Sequence, residues 1–134
     1  MAKKKIANSD DFRSEALEKA LEAQDAAAVA FALRNDKAIV PLLPVDGPPQ
    51  IRVFRRDDAD KYMLLLFSSA ETYVRMLPSE TDHRVLAYDR ATLREFIETN
   101  IGVLEAIWFD VAGPHAMQAA PEDVLEALVL SSDD

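Results

Sequence analysis

Apolar positions recur along the chain with two different periods, and the switches between them mark out the elements. Phe12, Ala16, Leu17, Ala20 and Leu21 follow helical spacing, and Ser9 or Asp10 stands where a cap would start that helix. A second helix is expected from near Asp25, with Val29, Ala30 and Leu33 on one face and Asn35 and Asp36 ending it. The texture then changes. Ala38 to Leu43 is a short apolar run containing Pro41, which cannot donate to a ladder and so points to an edge or bulged strand. PVDGPP at 44–49 is a turn by composition, and Ile51 to Arg55 reads as the next strand. After the acidic loop of Asp57, Asp58 and Asp60 comes KYMLLLF at 61–67, apolar at successive positions. Such a run suits a central strand covered on both faces.

Ser68 and Glu71 have the S-x-x-E spacing of a capping box, which predicts a helix to about Leu77. Val85 to Tyr88 reads as a short strand, and Asp89 caps a helix that buries Leu93, Phe96 and Ile97 and ends at Gly102 as its C′ residue. Ala106 to Val111 is a further strand, closed by a Gly113–Pro114 turn. Pro121 opens a last helix, with Glu122 and Asp123 in its electropositive first turn and Val124, Leu125 and Leu128 facing inward. Trp108 and Phe109 are adjacent strand positions and must face opposite sides of the sheet. For Trp108 both a core position and an interface anchor stay open.

The predicted fold class is α+β. It is a single domain with a mixed β-sheet (an antiparallel meander followed by β-α-β-α-β units), packed with helices and preceded by an N-terminal helical segment. Residues 1–9 are expected to be a flexible basic tail, 10–130 the domain and 131–134 an acidic tail.

Length and composition narrow the function. At 134 residues with 49% hydrophobic residues, the chain is one globular domain by size. It has no cysteine, which excludes thiolate zinc sites, iron–sulfur clusters and a Cys nucleophile. The start, MAKKKIANSDDF, lacks the apolar run of a secretory leader, and a cytoplasmic location is expected. The net charge of −9 is unevenly spread. Residues 1–100 carry all 15 Lys and Arg against 17 acids, whereas residues 101–134 carry seven acids and no Lys or Arg. A polyanionic C-terminal third disfavours nucleic acid, and it reads either as a solubilising face or as an acidic docking surface.

Motif chemistry is sparse. Three glycines, Gly47, Gly102 and Gly113, build neither a P-loop nor a dinucleotide fingerprint. His83 and His115 lack metal-ligand spacing, so no metal and no cofactor is expected. Ser68 and Ser69 stand at a strand-to-helix turn without the glycines of a nucleophile elbow, and no catalytic residue is assigned. Arg52, Arg55 and Arg56 cluster on one expected strand, as edge protection or as an anion site.

Several local textures occur in a familiar order: KAIVPLLPV at 37–45, LLLFSSAETY at 64–73, an Asp-started helix after the 85–88 strand, and FDVAGPHAM at 109–117 before a Pro-started helix. From Phe31 to Val129 the chain resembles the bacterial SseB N-terminal-domain family. The Ser-Ser-Ala-Glu turn and the Asp110-to-Pro114 turn carry the resemblance best. It implies a small α+β domain, and the family offers no catalytic residues to carry over.

The function expected is a non-catalytic cytoplasmic protein-interaction or regulatory module. The alternatives are an immunity protein or secretion chaperone for a basic partner, and a small enzyme or metabolite-binding domain using carboxylates and histidine. Another protein, of basic character, is the expected partner. Nucleic acid and membrane are not expected, and a homodimer is compatible with the sequence. Candidate partner-binding residues are Trp108, Asp110, His115, Glu122, Asp123, Glu126, Arg52 and Arg55; Ser68, Glu71, Gly113 and Pro114 are structural.

Overall fold

The first helix starts later than Ser9 or Asp10. In the computed structural model, which describes residues 12–129, α1 (Glu15–Glu22) is capped by Ser14. The Ser14 hydroxyl accepts from the Leu17 N–H at 3.1 Å and donates to Asp36 at 3.0 Å, so one side chain caps α1 and ties it to the end of the next helix. The tails expected at 1–9 and 131–134 lie outside the described residues. α2 (Ala26–Asn35) begins where expected, is capped by Asp25 and buries Val29 and Leu33.

β1 (Ala38–Leu42) is buried at every position, which corrects the edge assignment drawn from Pro41. One side of β1 pairs antiparallel with β3 (Arg84–Tyr88). On the other side Ile39 exchanges both backbone bonds with Phe67, while the Pro41 carbonyl accepts from Arg52 N–H. Pro41 therefore sits where the neighbour changes from one segment to another, and its missing donor falls in that gap. The strand expected at 51–55 is not regular: it touches its neighbours only through the isolated bridges Leu42–Ile51 and Phe54–Met63.

β2 (Tyr62–Leu66) runs parallel to β4 (Leu104–Phe109), which pairs antiparallel with β5 (Met117–Ala119). The helix α3 (Ala70–Met76) does not return the chain beside β2. Instead β3 crosses to β1, and only after α4 (Arg90–Asn100) does β4 come back parallel to β2. The serial β-α-β-α-β pairing is thus corrected to a two-stranded sheet and a three-stranded sheet, joined at Ile39 and Phe67. Gly102 is no left-handed cap either, because α4 runs on into a single tighter turn at Ile101–Val103.

The alternation of β2 explains its all-apolar sequence. Leu64 and Leu66 join a core with Leu17, Leu21, Val29, Leu33, Leu93, Ile97, Val124 and Leu128, beneath α1, α2, α4 and α5 (Pro121–Val129). Leu65 and Phe67 point the other way, into a second core with Ile39, Tyr73 and Val85 under α3. Phe109 belongs to the first core and Trp108, half-buried, packs against the second, so the opposite-face expectation for this pair holds. The result is a single α+β domain of three layers. Among the described residues no helix is long and apolar enough to cross a membrane.

Leu66 is fully buried at the centre of the larger core. Leu66→Ala is expected to cost about 2–5 kcal/mol, because the packed core around it collapses only partly into the void. Urea unfolding should show a lower midpoint with an unchanged m-value; a loss under about 0.5 kcal/mol would contradict this packing.

Candidate functional site

β2 and β4 are parallel neighbours, so both end at the same edge of the sheet. In open sheets with parallel strands this carboxyl edge is where clefts form. Here the chain leaves β2 through Ser68 and Ser69 into α3, and leaves β4 through Asp110 into the Val111–Pro114 turn. The two stretches that carry the family resemblance meet at this point.

Asp110 is buried and sits at φ 44°, a left-handed conformation that aspartate tolerates better than most residues. Its N–H makes the last ladder bond to the Leu66 carbonyl, and its own carbonyl accepts from Gly113 N–H at 2.9 Å to close the turn. The side chain then swings back toward β2. Oδ1 accepts from the Ser68 N–H at 2.8 Å and Oδ2 from the Ser68 hydroxyl at 2.6 Å. The single hydroxyl proton of Thr72 is shared between the Ser69 carbonyl at 2.8 Å and Asp110 Oδ1 at 3.2 Å. A carboxylate that accepts from a backbone amide and a hydroxyl is satisfied without a cation beside it. A Cβ on Gly113 would lie 3.4 Å from the Asp110 carbonyl, an ordinary contact distance.

Ser68 therefore does not cap α3, and its box with Glu71 is not formed. Ser69 is the cap, accepting from Thr72 N–H at 3.2 Å, while Glu71 pairs with Arg75 one turn on at 3.0 Å. Ser68 is instead fully buried, and its carbonyl accepts from Ser14 N–H at 2.7 Å, which draws α1 onto the same junction.

Over this junction lies a cleft of about 280 Å³, lined by Ser68, Thr72, Asp110, Gly113 and His115 together with Glu18, Glu22 and Arg75. Glu18 is held by Arg13 at 2.8 Å. Glu18, Glu22, Thr72 and Arg75 had no signal in the sequence as site residues, because α1 and α3 meet at the cleft only through the tertiary fold. Chemically the cleft offers carboxylates, hydroxyls, the Arg75 guanidinium and one imidazole; the Ser68 hydroxyl is inaccessible and already donates to Asp110. Among the described residues no three metal-ligating side chains converge.

The remaining candidates do not form one patch. Arg52 makes a paired bond to Glu80, at 3.0 Å from each nitrogen, donates to the Tyr73 hydroxyl at 3.1 Å and stacks on Phe54. Arg55 is exposed over Tyr62, and Arg56 pairs with Glu105. Trp108 lies on the α3 side of the sheet, whereas Glu122, Asp123 and Glu126 are exposed on α5 across it. His115 is exposed at the cleft mouth, its carbonyl accepting from Gln24 at 3.2 Å. His83 is half-buried, with its ring edge-on to Tyr73 and bonded to the Leu77 carbonyl at 2.6 Å.

The Arg52 cluster shifts three ionisations. The bonds from Arg52 hold the Glu80 carboxyl below the usual carboxylate range, against a smaller opposing desolvation. The same bonds raise Arg52 further. Burial pushes the Tyr73 hydroxyl up, partly offset by Arg52.

The family model described as SseB protein N-terminal domain matches residues 14–126. The match begins at Ser14, the α1 cap, and so takes in α1. No curated protein matches the chain.

Two measurements check this geometry. Ser68→Ala and Asp110→Asn are each expected to cost about 1–3 kcal/mol, since each strands a buried polar partner. The double variant should cost less than their sum by at least about 0.5 kcal/mol, and strict additivity in urea unfolding would mean the two side chains are not bonded. For Glu80, a depressed folded-state value gives stability that is present above the unfolded value of about 4.3 and lost as pH falls through the folded one. Glu80→Gln should melt below wild type at pH 7, and the two should converge in the acid; a gap that widens on acidification would reverse the assignment.

Proposed function

We propose, for a chain that belongs to the SseB N-terminal-domain family, a non-catalytic interaction or regulatory role in the cytoplasm, with a basic protein as partner. The observation that carries this reading is the solvent face of α5. Glu122, Asp123 and Glu126 are exposed side by side there, and among the described residues none of the three makes an ion pair. Six other surface acids, Glu18, Glu71, Glu80, Asp82, Glu98 and Glu105, each pair with an arginine, while the loop acids Asp57, Asp58 and Asp60 make no ion pair among the described residues but sit in an irregular loop rather than on one helix face. An unpaired run of like charge costs self-repulsion and attracts a complementary surface.

The interior of the cleft supports the same reading from the other side. Its polar groups are spent on one another, so what reaches solvent is a shaped, partly charged rim rather than an activated group. Val124 and Leu128 hold α5 against the core, so charge changes on the opposite face leave the packing alone. Glu122 and Asp123 also favour the start of α5 through the helix dipole, which makes Glu126 the cleaner position to alter.

The test uses the protein as bait and the tightest stoichiometric partner recovered with it. Glu126→Lys should weaken that complex by about 1 kcal/mol, roughly fivefold, mainly through slower association. Wild-type affinity should fall as salt rises past physiological strength, where exposed charges are screened beyond about 8 Å. A Glu126→Lys variant with the same affinity and the same salt dependence as wild type would remove the acidic face from the function.

A further inference from the structure

We propose that the free edge of β5, with the groove between α2 and α5, takes an extended lysine- or arginine-bearing segment of the partner as an added strand. The proposal rests on the interaction reading above and says where and how the partner sits.

β5 is the outermost strand of the order β2-β4-β5. Asp110 N–H bonds the Leu66 carbonyl, so Trp108 and Asp110 turn their backbone groups to β2, and Ile107 and Phe109 turn theirs to β5. Their partners there are Ala119 and Met117. The alternation of an antiparallel ladder then points the N–H and C=O of Gln118, an exposed residue, away from the sheet. One outward donor and acceptor sets the register of an added strand, and side chains must supply the affinity.

The groove meets that need. It holds about 300 Å³, and its walls include Val29 and Leu33 of α2, Met117 of β5 and Val124 of α5. Asp123 is its single charged lining residue, with Glu122 and Glu126 on the same helix. No Lys or Arg lines it. An extended segment places alternate side chains on one face, so apolar residues can enter the groove while a cation meets Asp123. A second copy of this chain adding through its own β5 would bring another Asp123 and Glu122 against the first pair, and like charges there oppose it.

The probe is a six-residue peptide alternating Lys and Val, blocked at both ends, with a Glu–Val peptide as control. It is titrated into ¹⁵N-labelled protein. The Lys–Val peptide should shift the amides of Met117, Gln118 and Ala119 and the first turn of α5, and should slow exchange of the Gln118 amide about tenfold at saturation. The Glu–Val peptide should do neither. Asp123→Lys should weaken binding at least about fivefold. Gln118→Pro, which removes a donor outside the ladder, should abolish the β5 response. Should that variant not fold, protection of Gln118 in the wild type decides the matter alone. Shifts spread over the acidic surface without Gln118 protection would overturn the proposal, as would a β5 response that grows with protein concentration in the absence of peptide. A natural partner lost by Glu126→Lys yet retained by Gln118→Pro would sink the added strand and leave the acidic face standing. A partner retained by both would sink the reading beneath it.

Discussion

One buried carboxylate holds the carboxyl edge of the sheet together. Asp110 leaves β4 in a left-handed conformation, and that single backbone choice does two things. It starts the turn that brings β5 antiparallel to β4, and it aims the side chain at the exit of β2. Ser68 then donates two bonds to that one side chain, from its N–H and its hydroxyl, and its carbonyl accepts from the Ser14 amide. Three segments that are distant in sequence, the start of α1, the β2–α3 link and the end of β4 with its turn, thus meet through a few hydrogen bonds among buried groups. Such bonds are strong because nothing competes with them, and costly to break because the loss leaves a charge buried.

The layers follow from covering β2 on both faces. Alternation along a strand sends Leu64 and Leu66 one way and Leu65 and Phe67 the other, so two cores are required. Four helices serve the larger core and α3 alone the smaller. The smaller one is completed by polar neighbours at its rim, where the Tyr73 ring packs on Phe67 and its hydroxyl oxygen accepts from Arg52. Arg52 in turn is neutralised by Glu80 and stacked on Phe54. An arginine that reads as surface charge in the sequence is here a brace across the second core.

Charge is handled differently at the two ends of α5. The helix has no basic residue in its last turn, yet its final carbonyls do not go unserved. Arg34 from α2 donates to the Ala127 carbonyl at 3.2 Å, and Arg90 from α4 to Leu128 at 2.7 Å. Cations from two other helices complement the negative end of the dipole. The N-terminal acids receive no such treatment and stay open to solvent beside an apolar groove and an unpaired sheet edge. That contrast, neutralised where structure needs it and exposed where it does not, is what gives the α5 face its functional interest.

Much of the local structure was legible in the residues themselves. Asp25 and Asp89 cap helices because a short acceptor before an amphipathic run has little else to bond. Pro121 opens α5 because a residue without an N–H is tolerated there. The apolar run of β2 announced a strand covered on both sides. Even the two stretches that form the site stood out, though only as separate turns. What the sequence could not decide was which groups would meet. The S-x-x-E spacing pointed to Ser68 as the cap, but Asp110, 42 positions on, claims Ser68, and Ser69 caps α3 instead. Pro41 argued for an edge until β3 and the 51–54 segment took both sides of β1. Glu18 and Glu22 joined the cleft only because Ser14 bonds to Ser68. Local patterns follow from the conformational preferences of a few adjacent residues. Pairing, burial and shared acceptors depend on competition among distant groups, and only the folded chain resolves that competition.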